Sequence, residues 1–191
     1  MVMVRNTIIV GGGHAGVNLA CMLELGEKAV DYLIIERSDS LLSKWRDKRW
    51  DYFQLNTPVG FSRLHGQDST DTRDDWILDR PLQQDIDAWD AHIKSLDILT
   101  RTKLNSNVVS VKPLEDGTFE TTVKEVLDGE GKFKTLVYQS KNVVVCNGVY
   151  DHNFVPSKLA SKIPDSIKQH VTGGFKLGDL AGGNVLVVGS R

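Results

Sequence analysis

The stretch Thr7–Gly16, TIIVGGGHAG, constrains this chain more than any other ten residues in it. Thr7 to Val10 is a short, β-branched, apolar run, the composition of a strand buried in a parallel sheet. It breaks into glycine, and Gly11, Gly13 and Gly16 fit the pattern G-x-G-x-x-G. Ala15 to Leu25 then carries helix formers up to a stop at Gly26, and a second apolar run, Tyr32 to Ile35, ends at Glu36. Strand, glycine turn, helix and strand together make a βαβ unit of about 30 residues. Each glycine has its own task in such a turn. The first lets the backbone bend sharply, the second lets a pyrophosphate approach without a Cβ in its way, and the third lets helix pack close on strand. The anion rests on free amides at the helix start, which here include those of His14 and Ala15.

Glu36 follows the last of these glycines by about 20 residues, at the end of the second strand, where a carboxylate accepts the ribose hydroxyls of an adenosine. With Arg37 beside it, Glu36 completes the first group of candidate cofactor-binding residues. A carboxylate repels a 2′-phosphate, so the turn is expected to take FAD or NAD rather than NADP. A tight glycine turn in an unrelated α/β protein is the bland alternative, and strand, helix and acid in register weigh against it.

The rest of the chain sorts by period. Between residues 38 and 80 the aromatics Trp45, Trp50, Tyr52 and Phe53 crowd together, Pro58 and Gly60 break the chain, and no regular structure is expected. Asp79 and Pro81 suggest a helix start, and Ile86, Trp89, Ile93 and Leu96 recur at spacings that put them on one helical face. From Asn107 the runs VVSVKP, TFETTVKEV, KTLVYQ and NVVVCN read as strands separated by EDG and DGEG turns, an antiparallel meander with a final buried strand. A chain of 191 residues with 40% hydrophobic positions can bury a full core. A net charge of -2 with scattered Lys and Arg offers no field for nucleic acid, and the apolar stretch Ile8–Val10 is too short for a signal peptide or a membrane span. A cytoplasmic location is expected. Cys21 and Cys146 lie far apart with no C-x-x-C, so both are expected to be small buried hydrophobes.

An aromatic segment, a helix and a meander after the first βαβ unit, in place of further βαβ units, resemble the order found in two-dinucleotide-binding flavoproteins. More narrowly, SKWRDKRWDYFQLNTP resembles the segment after the ribose-binding acid in the class B flavin-dependent monooxygenases, the group that includes the flavin-containing, Baeyer-Villiger and indole-pyruvate monooxygenases. Trp45, Arg49, Leu55, Asn56 and Pro58 carry that likeness. SNVVSV resembles the family's strand that meets the adenine, with Val108 as the contact, and VVVCNG stands where the family has a strand ending in an A-T-G-like turn, so that Asn147 and Gly148 fall on that turn. Val155-Pro156 follows as the family's proline does, and GGNVLVVGS looks like the strand and first glycine of a second, NADPH-binding fingerprint. The chain departs from the family at Ser43-Lys44, where a glycine pair is usual, at Asn147, where threonine is usual, and in the linker, of which only His170-Val171 survives.

The fold class this implies is α/β: an FAD-binding Rossmann-like βαβ domain with a parallel sheet plus an antiparallel β-meander, ending at the first strand of a second dinucleotide-binding domain. Residues 1–181 would form the FAD-binding domain, incomplete here, and residues 182–191 the start of the NADPH-binding domain. The resemblance further implies FAD and NADPH as cofactors. A flavin C4a-hydroperoxide would transfer oxygen from O2 to a small substrate, at a nucleophilic nitrogen or sulfur or at a carbonyl carbon, with Asn56 facing the flavin as the catalytic residue. By itself the chain is expected to be inactive with NADPH, to bind FAD weakly and to self-associate as a homo-oligomer. Two rivals stay open at this point: a flavin-dependent disulfide oxidoreductase, which needs a redox cysteine pair, and a non-catalytic nucleotide-binding module.

Overall fold

A computed structural model describes residues 2–47, 49, 53–55, 57–67, 82–127, 131–148, 156–164, 178 and 182–184. The expectations at Trp50, Tyr52, Asn56, Asp79, Pro81, Val155, His170 and Val171, and on the second glycine-ending strand after residue 184, lie outside the described residues.

Strand β1 (Val2–Val10) enters the Gly11–Gly13 turn, helix α1 (His14–Glu24) follows, and β2 (Tyr32–Ile35) closes the unit. β1 pairs in parallel with β2 on one side, Ile8 opposite Leu33 and Val10 opposite Ile35. It is longer than the run Thr7–Val10 because Val2 to Arg5 also pair with a later strand, Phe133–Val145, although Val2 and Val4 are exposed. Gly16, Val17, Ala20 and Cys21 form the buried stripe of α1, the spacing that sets one helical face against a sheet. In the aromatic segment two short helices appear, α2 (Ser43–Arg46) and α3 (Val59–Ser62), where regular structure was not expected. Helix α4 (Leu82–Ser95) buries Ile86, Trp89 and Ile93 along the stripe its sequence predicts, and Leu96 packs beside them half-buried. Each of these large side chains contributes about 1.5–3 kcal/mol on burial. A 3-10 turn at Ile98–Arg101 then leads into the short strand β3 (Thr102–Lys103).

The meander comprises β4 (Ser106–Pro113), β5 (Phe119–Val126) and β6 (Phe133–Val145), antiparallel to one another. The last two sequence runs are one strand of 13 residues rather than two. Its first part pairs with β5, and from Val137 onward it runs parallel to β1. The full order is β3-β2-β1-β6-β5-β4. One face of this sheet carries α1 and α4 over Ile9, Ile34 and Tyr32. A second cluster joins Ile8, Leu33 and Ile35 to Val123 and Tyr138 of the meander. The expectation of a buried final strand fails at its end: Val144 and Val145 are exposed, since β1 is their sole strand partner among the described residues. Cys21 is buried as expected, whereas Cys146 is only half-buried.

The chain reaches β2 and β3 on one side of β1 before returning to β6 on the other. The carboxyl ends of β1 and β6 therefore flank the point where strand order reverses. In open α/β sheets that crevice is where ligands bind.

Candidate functional site

Gly11 stands at the crevice with φ +103°. Its amide donates to the Ile35 carbonyl at 2.9 Å, and a Cβ placed on it would meet the Cys146 carbonyl oxygen at 2.5 Å and the Asn147 Cα at 3.3 Å. The turn after β1 and the turn after β6 thus touch through backbone alone. Gly148, in that second turn, also has positive φ, +72°, and both Asn147 and Gly148 are exposed. Gly16 is tighter still, since a Cβ there would lie 2.0 Å from the Gly11 carbonyl oxygen. Gly13 is the opposite case, with no atom of the described residues within 4 Å of the position its Cβ would take. The two flanking glycines of the motif are there for close packing, and the middle one opens onto free space at the start of α1. Among the described residues no side chain caps that helix end, and no acidic residue lies in its first turn. The first-turn amides, those of His14, Ala15 and Gly16, lack intrahelical acceptors and are suited to an anion.

Glu36 is buried, 8% exposed, and every polar group it owns is engaged. Its main-chain N–H donates to the Lys103 carbonyl at 2.9 Å and its carbonyl accepts from Ser106 N–H at 2.8 Å, which brings the edge strands β3 and β4 together beside it. Its carboxylate accepts from Gly12 N–H at 2.6 Å through Oε2 and from Ser38 N–H at 2.8 Å through Oε1. Each oxygen keeps a lone pair for a further donor. The side chain is therefore held in place before any ribose arrives. Val108, half-buried, lies two residues into β4 from Ser106 and opposite Val123, on the meander side of Glu36. Arg37 is exposed next to it.

The remaining candidates gather around Trp89. Its indole meets Trp45 at 6.0 Å and His14 at 5.3 Å between ring centroids, and Trp45 meets Phe53 at 6.1 Å. The Arg49 guanidinium lies over the Trp45 and Phe53 rings, 4.3 and 4.9 Å from their centroids. His14, Trp45 and Arg49, picked for the cofactor, thus belong to one aromatic cluster beneath the start of α1. Asn56 is outside the described residues.

Sequence reasoning missed four contributors. Gly12 supplies the amide that seats Glu36, and its carbonyl accepts from Leu42 N–H at 2.8 Å, tying the turn to the residue that starts α2 with φ +60°. Its place in an unbroken GGG run is the signal that could have marked it. Ser38 and Ser62 act through main-chain groups and carry no sequence signal. The spacing of Trp89 with Ile86 and Ile93 marks it only as part of a packing face. Burial pushes the Cys21 thiol up to about 11 and the Cys146 thiol upward too, so neither supplies a thiolate near neutral pH. Both are free, and no group of three or more His, Cys, Asp or Glu suited to a metal occurs among the described residues. No helix among them is long and apolar enough to cross a membrane.

No protein-family model matches the chain. Among curated proteins it is similar to an uncharacterized oxidoreductase, CzcO, of Bacillus subtilis, 27% identical over 186 residues, 96% of this chain and 48% of that protein. It is also similar to a probable indole-3-pyruvate monooxygenase, YUCCA1, of Arabidopsis thaliana, 41% identical over 64 residues, 34% of this chain and 15% of that one. The chain spans at most about half the length of these relatives. Its fold is that of a polycyclic ketone monooxygenase from Thermothelomyces thermophila, TM-score 0.66 at 16% identity over 82% of this chain and 25% of the other. A cyclohexanone monooxygenase in its closed form superposes with TM-score 0.64 at 17% identity, over 82% and 28% of the two chains. In its sequence relatives and its structural neighbours, this chain is similar to the class B flavin-dependent monooxygenases, and it carries the mixed α/β, Rossmann-like fold seen in those neighbours.

Proposed function

We propose that this chain is the FAD-binding portion of a flavin-dependent, NADPH-linked monooxygenase that works in the cytoplasm on a small substrate, at a nucleophilic nitrogen or sulfur or at a carbonyl carbon. The observation that carries this reading is the pairing of Gly13, open where a Cβ would fill the cradle, with the pre-seated carboxylate of Glu36 at the end of the neighbouring strand. The residues fit the adenosine-diphosphate half of FAD. Amides of the α1 first turn take the pyrophosphate, Glu36 accepts from the ribose, and Val108 lies on the adenine side. Gly11, Asn147 and Gly148 are assigned to the crevice in this reading, and Arg37, Trp45 and Arg49 to the cofactor on resemblance alone.

When bound, the flavin supplies hydride acceptance from NADPH and the activation of dioxygen. The chain's own part is to bind, to orient and to exclude water. Asn56 is assigned to the catalytic position on resemblance alone. Residues 1–181 form the FAD-binding domain in this reading and residues 182–191 open the NADPH-binding one. A structure of cyclohexanone monooxygenase from Rhodococcus sp. Phi1 has NADP+ bound, which supports the second cofactor by likeness of fold.

The test is reconstitution of the purified chain with FAD. Protein that retains flavin through desalting and releases FAD on denaturation supports the reading. A chain that neither retains flavin nor perturbs its absorption spectrum on titration overturns it. Oxygen-dependent NADPH consumption by a longer chain containing these residues tests the monooxygenase part.

A further inference from the structure

The sequence assigns His14 to the cradle through its amide, and its imidazole is engaged elsewhere. The Ser62 carbonyl at the end of α3 accepts two N–H groups, the buried indole N–H of Trp89 at 2.7 Å and Nε2 of His14 at 3.1 Å. A carbonyl only accepts, so the His14 nitrogen facing it carries hydrogen. The same ring stands edge-on to Trp89, with 72° between the planes. Ser62 is itself held, 6% exposed, with its hydroxyl 3.0 Å from that of Thr57. The helix start that this ring anchors has no side-chain cap, and it is entered through a glycine whose surroundings are open. Within the first turn, His14 makes the side-chain hydrogen bond that ties the helix to another element among the described residues.

We infer that His14 is a positioning residue for the dinucleotide. Its ring fixes the first turn of α1 to α3 and α4, so the amides beside Gly13 are already aimed at the crevice when phosphate arrives and lose little freedom on binding. Because Trp89 also meets Trp45, the same contact joins the phosphate cradle to the aromatic cluster under it. The inference rests on the FAD reading above.

Three forms of the full chain decide it: the native one, His14→Phe, which keeps a ring against Trp89 without the donor, and His14→Gln, which restores an N–H donor. FAD affinity is read by titration, and the order of the helix start by amide resonances of Ala15 and Gly16 without ligand. His14→Phe should bind FAD about fivefold more weakly, the size of one neutral hydrogen bond, and shift or broaden those two resonances. His14→Gln should bring both readouts back to within about twofold of native, while the circular dichroism of all three stays alike. Native affinity in His14→Phe overturns the inference, and so does a His14→Gln variant as impaired as His14→Phe. Should the native chain itself bind no FAD, the FAD reading fails and the resonances alone decide: unmoved in His14→Phe, they overturn the positioning role. His14→Leu replaces His14→Phe if the latter does not fold.

Discussion

Around the glycine turn the chain approaches itself through backbone. Gly16 sits against the Gly11 carbonyl, Gly11 against the Cys146 carbonyl, and the contacts that matter join main-chain groups to one carboxylate. In the meander the contacts are made by side chains paired across strands, such as Val108 with Val123 and Thr121 with Tyr138. The two regions share a sheet and a core, but a new methyl group has opposite meanings in them. Beside the turn it collides with atoms that cannot rotate away. In the meander a side chain can be exchanged for one of like volume without moving the backbone.

The largest effect that sharpens this contrast is at Gly16. A Cβ 2.0 Å from the Gly11 carbonyl oxygen forces helix and strand apart, so Gly16→Ala should cost about 3 kcal/mol of stability by urea unfolding. A variant within about 0.5 kcal/mol of native would mean that the close approach of α1 to β1 is not required. Glu36→Gln comes next. It replaces a carboxylate that accepts two backbone N–H groups with an amide that has one acceptor oxygen, and it should cost about 1.5–3 kcal/mol, divided between stability and FAD affinity. Unchanged flavin retention in that variant would count against the ribose assignment.

Gly13→Val then separates fold from site within the same turn. Its Cβ meets nothing within 4 Å, so the folded chain should tolerate it, whereas the branched side chain occupies the space assigned to phosphate. FAD affinity should fall by at least about tenfold, about 1.4 kcal/mol or more, with a urea midpoint near native. A fully flavinated Gly13→Val protein would remove the cradle from the account.

The same contrast explains what could be read from the chain in advance. Glycine marks close backbone approach in a strand-turn-helix pattern, so the packing of Gly11 and Gly16 was legible, as were β2 to the residue and the buried stripe of α4. β6 was not, because the polar pair Ser140-Lys141 interrupts its apolar pattern. Ser140 is nevertheless buried, its hydroxyl donating to the Asn142 carbonyl at 3.0 Å, so the interruption is satisfied inside one strand. The exposure of Val144 and Val145 was illegible for another reason: an apolar run signals a strand, but says nothing about whether anything covers it. The Ser38 amide and the Ser62 carbonyl act as main-chain groups brought close by the fold, and residue type carries no trace of that.

The smallest effect lies in the meander and has the opposite sign. Thr121 is fully buried between Val111 and Tyr138, and its hydroxyl meets no hydrogen-bond partner among the described residues. A buried hydroxyl without a partner has lost its water and gained nothing in exchange. Valine has nearly the same shape and no polar atom, so Thr121→Val should raise stability by about 1 kcal/mol while FAD affinity stays at the native value. The measurement is the urea midpoint at unchanged slope, which assigns the change to stability rather than to the unfolded chain. A lower midpoint would show that the hydroxyl has a partner after all, a buried water being the natural one, and that the meander also depends on polar contacts of fixed geometry, as the glycine turn does.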